Sequence, residues 1–298
     1  MEHPGVTQRP PAYAQLLIDS LDRYKTAIAT NVNRSTSSNW RTNFQQNILY
    51  GYFTRLGVSQ IHLFWNLPTI IQGYNDTFTT VVVGTAGGTQ TLTLDQGFYT
   101  PTSLAAEWQA KLQAAYPGGG FTVVYQALVG GFIISCGAGV QISFSPGPLD
   151  RVSALSRFYY TVGLTPGFTA PAGGTLVTGP PPMLPTPFID IVSDYLTKYQ
   201  RVKDSTTLQS PTVSNVIARV YPTAPNTRAS VADFNENGSA PFWICIDYNT
   251  PKFIKWSPDE ALTNFDLRLL DNFGEELPFS LNGFFGVEYQ LTLLASES

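Results

Sequence analysis

Over much of the chain, apolar and polar residues alternate with the period of two that marks a strand with one buried face. Ile61, Leu63 and Trp65 alternate with Gln60, His62 and Phe64. Phe265, Leu267 and Leu269 alternate with Asp266 and Arg268, and Val287, Tyr289, Leu291 and Leu293 share one face near the C-terminus. Phe78 to Val83 and Thr89 to Leu94 flank Gly84 to Gly88, a turn that glycine permits. Phe121–Tyr125, Phe132–Cys136 and Val140–Phe144 follow in close succession, separated by Gly130-Gly131 and Gly137, and predict a β-meander. Phe188–Val192, Val213–Tyr221, Phe242–Tyr248 and Phe253–Trp256 add further strands rich in β-branched and aromatic residues.

One segment breaks the pattern. Thr100-Pro101 supplies an N-cap and a proline at the first helical position, and Leu104, Trp108 and Leu112 follow as a single stripe. Pro117 and Gly118 to Gly120 end this helix. Ser257-Pro258-Asp259-Glu260 has the form of a second helix start. Asp271-Asn272-Phe273-Gly274 predicts a turn. No period of 20–50 residues recurs, which argues against propellers and solenoids.

Two stretches fall outside the alternation. Residues 1–35 open with prolines, carry the short apolar patch Leu16-Leu17-Ile18, then Arg23 and Tyr24, and end in a polar spacer. They read as an N-terminal arm, docked either on a neighbouring molecule or on its own sandwich. Residues 165–187 hold seven prolines and four glycines, and no charge occurs between Arg157 and Asp190. This is a domain linker or, as Greek-key topologies require, a long crossing loop. The organisation expected is an arm over 1–35 and one β domain over 36–298.

Composition narrows the function. The chain has 298 residues, of which 13% are charged and 13% aromatic, with 25 glycines and 22 prolines. A turn-rich, aromatic-rich chain of this size folds on its own core. Its charge is low against an average of about 25%, so too few ions exist to solvate every face. Residues 1–230 carry a net +4 and residues 231–298 a net −8, a split that could orient copies among neighbours. No cluster of Lys and Arg is dense enough for specific nucleic-acid binding. The apolar run Ala127 to Phe144 is punctuated by glycines, so no membrane span is expected.

Catalytic chemistry is sparse. The two histidines, His3 and His62, lie in the tail and in a strand. No nucleophile elbow, phosphate loop or dinucleotide fingerprint occurs. Cys136 and Cys245 sit in apolar runs and read as buried, reduced thiols; with two histidines they do not match zinc spacing. No cofactor is expected. A glycosidase needs only two carboxylates across a cleft, so that class stays open. A carbohydrate- or receptor-binding β-sandwich also stays open, given Trp65, Trp243 and Trp256, although aromatics in alternating strands are more often core. Glycosylation triplets at Asn33, Asn75 and Asn237 matter only on a secretory route.

The order of short motifs is also informative. Ile18 to Arg23 precedes a polar spacer, then Asn39-Trp40-Arg41-Thr42-Asn43-Phe44, then Val58 to Leu67 ending at Pro68. Leu94 to Thr100 leads into the helix, and the meander and Phe158 to Leu164 follow. Phe265 to Gly274 closes the series. This order resembles the minor capsid and penton proteins of tailless icosahedral double-stranded DNA viruses, such as virophages, polinton-like viruses and giant viruses. The resemblance implies an all-β single jelly-roll sandwich with an N-terminal arm and one or two short helices. It implies a non-enzymatic structural protein of the virion, made in the host cytoplasm and forming a homo-oligomer. A pentamer at capsid vertices is expected, in contact with the major capsid protein and with other minor capsid proteins, with another minor capsid role, of cement or triplex type, between capsomers as the alternative. The resemblance carries over no residue-level binding site; the apolar patch of the arm and the residues after it, Leu16, Leu17, Ile18, Arg23 and Tyr24, are the candidate assembly residues.

Overall fold

A computed structural model describes residues 13–24, 36–43, 47–49, 52–84, 88–145, 154–165, 167–199, 215–222, 241–257, 259–278 and 285–297. Strands β1 (Tyr13–Asp19), β2 (Asn39–Asn43) and β3 (Arg55–Asn66) come first. Then follow β4 (Thr77–Val83), β5 (Gly88–Thr93), helix α1 (Pro101–Ala115), β6 (Thr122–Gln126), β7 (Gly131–Ser135) and β8 (Gln141–Phe144). Helix α2 (Ala154–Val162) and the short strands β9 (Thr169–Ala170) and β10 (Thr175–Val177) complete the middle of the chain. The last third carries β11 (Ile189–Val192), β12 (Val216–Val220), β13 (Phe242–Asp247), β14 (Phe253–Lys255), β15 (Asn264–Leu270) and β16 (Gly286–Ser296).

Nine of these strands form a sandwich, eight in two four-strand paths and the short β14. One sheet has the order β1-β16-β3-β13, with β14 also on β3, and the other has the order β12-β11-β15-β2. All these pairings are antiparallel. Counted among themselves, the eight strands run 1-8-3-6 in one sheet and 2-7-4-5 in the other. That is the doubly wound Greek-key order of a jelly roll. Alternation sets which face is inside: Ile61, Leu63 and Trp65 of β3 and Phe265, Leu267 and Leu269 of β15 are buried between the sheets. Tyr289 and Leu291 of β16 meet them. The Trp40 indole N–H donates to the Tyr289 hydroxyl at 2.8 Å, joining the two sheets through the core. β3 carries a bulge at Ser59, where the register on β16 passes from Thr292–Gln60 to Leu293–Val58. The Ser59 hydroxyl donates to the Thr292 carbonyl at 3.1 Å, and its own carbonyl accepts from Tyr248 N at 2.8 Å.

The segment expected to be an arm thus contains the first sandwich strand. Tyr13 to Asp19 pairs along its whole length with Ser296 to Gln290, and Ile18 is buried in the core. A 3-10 turn, Ser20–Tyr24, ends it. The Ser20 hydroxyl accepts from Tyr289 N at 3.0 Å, which fixes this turn on the last strand. Of the two placements open for the Leu16-Leu17-Ile18 patch, the structure shows the one on its own sandwich.

Between β3 and β11 the chain leaves the sandwich and builds a second core. Its sheets are β5-β4-β8-β9 and β10-β7-β6. Trp108 on α1 lies at the centre, edge-on to Phe78, Phe132, Phe144 and Phe158 at centroid distances of 5.4–5.8 Å. Phe78 and Phe158 stack at 4.9 Å. α1 starts as expected: the Thr100 hydroxyl accepts from Ser103 N at 3.1 Å and Ser103 Oγ accepts from Thr100 N at 2.9 Å, a capping box. The proline-rich stretch 165–187 does not cross the sandwich face. It supplies β9 and β10 to the second core and then leads into β11. Met183 packs in the second core and its neighbour Leu184 in the first, so the two meet there. The helix start expected at Ser257 is a turn closed by Glu260 N on the Ser257 carbonyl, and Pro258 lies outside the described residues.

Candidate assembly surface

The two cores are joined by a buried polar knot. Asp271 follows β15 and is fully buried. Its Oδ2 accepts from the Arg157 guanidinium of α2 at 2.7 Å and from the Tyr74 hydroxyl at 2.7 Å. Its Oδ1 accepts from Phe273 N and Glu275 N, which closes the turn predicted at Asp271 to Gly274. Gly274 takes φ +83° there, a conformation glycine adopts without strain. The guanidinium lies over the Tyr74 ring at 4.1 Å. Burial, then the Asp271 charge, push the Tyr74 hydroxyl far above its ordinary range, with the Arg157 charge opposing. Every one of these contacts is internal, so the knot reads as a structural tie. Beside it the Asn75 side chain is buried, donating to the Thr69 carbonyl and the Thr161 hydroxyl, so this glycosylation triplet is closed to a glycan. Asn33 and Asn237 lie outside the described residues.

No group of three or more His, Cys, Asp or Glu side chains among the described residues could hold a metal ion. Trp65 and Trp256 are core residues. Trp256 also helps hold Lys198, whose ammonium sits 4.0 Å from the Tyr195 ring, 5.1 Å from Tyr199 and 5.2 Å from Trp256. Glu260 accepts from Lys198, Tyr195 and Tyr199 at the same place, so this aromatic box is filled by the chain's own cation.

What the surface offers is sheet face. On the outer side of the β1-β16-β3-β13 sheet, the register places Leu17, Thr292, Gln60 and Asp247 in one row and Asp19, Gln290, His62 and Cys245 in the next. Trp243, 57% exposed, lies against Phe64 at 5.0 Å. Cys245 is exposed with Sγ 3.6 Å from His62 Nδ1, which corrects the expectation that both cysteines are buried. Both faces of β13 are apolar, but Ile244 takes the inner one. Cys136 is buried as expected, and burial pushes its thiol up. The arm residues divide in the same way. Ile18 points inward, Leu16 is partly buried against the core, and Leu17 faces out at 63% exposure. Arg23 and Tyr24 lie in the 3-10 turn, and their side chains fall outside the described residues.

No family model and no curated protein matches the sequence. Solved structures do match. The crystal structure of the mavirus penton protein aligns over 96% of this chain and 99% of its own, with a TM-score of 0.52 and 13% identity. A chain of the Sputnik virophage, from its cryo-electron microscopy structure, aligns over 97% and 99% with a TM-score of 0.45 and 11% identity. The mavirus alignment takes in both cores and not the sandwich alone. The chain therefore carries, over nearly its whole length, the jelly-roll fold of the mavirus penton protein.

Proposed function

We propose that the chain is a structural, non-enzymatic subunit of an icosahedral virus capsid, residing in the virion. Within that role it is the penton, forming a homopentamer at the vertices and contacting the major capsid protein. The observation that carries this reading is the complete eight-strand jelly roll together with its inserted second core, aligned end to end with a penton protein. Its surface fits a lateral contact. The chain is charge-poor, and the split between +4 over residues 1–230 and −8 over residues 231–298 fits a head-to-tail arrangement, in which one face meets a different face of the next copy. Such contacts form a ring where the rotation between copies closes. The number five comes from the resemblance to pentons and not from these charges.

The test is the symmetry of the purified oligomer, by native mass spectrometry or by averaging of particle images, with and without the major capsid protein. A five-fold ring supports the vertex role. A two-fold dimer, or a trimer seated between capsomers, overturns it and leaves the jelly roll standing. Exposed Trp243 beside Phe64 favours one second reading, a carbohydrate-binding face on the outer sheet. A glycan array probed with the native chain and with Trp243→Ala decides that reading separately.

A further inference from the structure

The sheet β10-β7-β6 turns one face to the second core and the other to solvent. On the solvent face, register aligns Val124, Ile133 and Val177 in one row across the three strands. The neighbouring row is Thr122, Ser135 and Thr175, all hydroxyl-bearing. Val124 is 55% exposed and Val177 is also exposed. The β6–β7 turn extends this surface with Leu128, 95% exposed, and Val129. A turn of this kind ordinarily carries polar residues, and contiguous apolar surface of this sort marks an interaction site.

Charge says what covers it. No Asp, Glu, Lys or Arg occurs in residues 112–149 or in residues 158–189. The three strands and their turn lie wholly within those spans. A partner that buried a charged side chain here would find no counter-ion, and an unpaired buried charge costs several kcal/mol. The complementary surface must itself be free of charge. The chain carries such surface in these same two spans, which are its longest stretches without a charged residue.

Position separates a neighbouring protein from a lipid surface. The Leu128 turn is not at the free end of the second core. Next to it, Phe132 N donates to the Thr178 hydroxyl at 2.9 Å, and a Cβ on Gly131 would come within 2.4 Å of the Thr178 carbonyl. From Thr178 the chain runs in a few residues to Met183 and Leu184, where the two cores meet. The exposed turn therefore sits at the level of the junction. A surface at that level lies beside the sandwich and not on a free tip, which suits a second copy standing alongside.

We infer that the solvent face of β6, β7 and β10, with the Leu128–Val129 turn, is a contact surface for the charge-free flank of a second copy of this chain. The inference rests on the oligomeric reading above and names the surface that reading would use. Val124→Asp and Leu128→Asp place a carboxylate in the contact, while the monomer keeps both sites in water. The expected result is a shift of the purified oligomer to monomers at micromolar concentration, with the melting temperature of the monomer unchanged. A photo-crosslinking residue at position 128 should capture peptides from 112–149 or 158–189 of another copy. An oligomer that persists in both variants, or cross-links that fall on charged sandwich segments, overturns this contact and leaves the ring reading intact. A wild-type chain that is monomeric, with no intermolecular cross-link even beside the major capsid protein, overturns both. Sedimentation of the wild-type chain with neutral phosphatidylcholine vesicles, lost in Leu128→Asp while the oligomer persists, would assign the surface to lipid instead.

Discussion

Replacing Arg157 with methionine tests how the two cores hold together. The substitution keeps most of the side-chain volume and removes the guanidinium from a carboxylate that is fully buried. Breaking a buried ion pair by deleting one partner costs about 3–5 kcal/mol, because the remaining charge stays desolvated. Asp271 retains the Tyr74 hydroxyl and two backbone amides, so the lower end, about 3 kcal/mol, is expected. At roughly 2–4 °C per kcal/mol, the melting temperature should fall by roughly 6–12 °C. The assay is differential scanning calorimetry at neutral pH, with Arg219→Met as the control. Arg219, the exposed residue of β12, makes a bidentate pair with Asp190 at 2.6 and 2.8 Å. Its loss should cost at most about 1 kcal/mol. Adding Asp271→Asn to Arg157→Met removes the stranded charge yet keeps an acceptor for the two amides. The double variant should therefore lose less than the sum of the single variants. Equal melting temperatures for Arg157→Met and Arg219→Met, or strict additivity in the cycle, would refute the tie between the cores.

Other substitutions follow the same logic. Leu267→Asp buries a carboxylate between the sheets and should give insoluble or unfolded protein. Arg268→Ala on the outer face, paired to Asp194 at 2.6 Å, should change stability by less than about 1 kcal/mol in denaturant titration. Truncation to residue 13 should leave the melting temperature within a few degrees. Truncation to residue 25 removes β1 and the buried Ile18, whose burial alone contributes about 1.5–3 kcal/mol, and should destabilise the sandwich measurably. A thiol-specific chromogenic reagent at mild alkaline pH should label Cys245 rapidly and Cys136 only on unfolding; two equally fast thiols would contradict the burial of Cys136.

The sandwich was legible where one face is apolar and the other polar. Phe265 to Leu269 and Gln60 to Trp65 show that alternation, and both have the predicted faces inside. Helix α1 was legible because Thr100, Pro101 and the Leu104–Trp108–Leu112 stripe agree at every level. β1 was harder to see. Leu16, Leu17 and Ile18 are consecutive apolar residues, so period two is blurred, and the strand that completes them lies at the other end of the chain. β13 is apolar on both faces, so alternation alone could not decide whether Trp243 and Cys245 or Ile244 points inward. The second core was hidden for a different reason. Its strands obey the same local rules as those of the sandwich, and only long-range pairing separates Phe78, Trp108 and Phe132 from Trp65 and Leu267. The exposed Leu128 could not be found from pattern either, since the same uncharged run holds buried and solvent-facing residues.

The topology also sets an order of events during synthesis. β1, within the first twenty residues, finds its hydrogen-bonding partner only in β16, which ends at Ser296. Closing so long a loop is slow compared with local pairing. The strands and helices of the second core all fall between Thr77 and Val177, and they complete their own cluster without any residue of the last third. Made vectorially, the chain can therefore consolidate its middle first while β1, β2 and β3 wait unpaired on the ribosome. The sandwich closes only when the C-terminal strand emerges and slots between β1 and β3. Until then the faces of the sandwich are unfinished on the nascent chain, whereas the flank of β6, β7 and β10 is already formed.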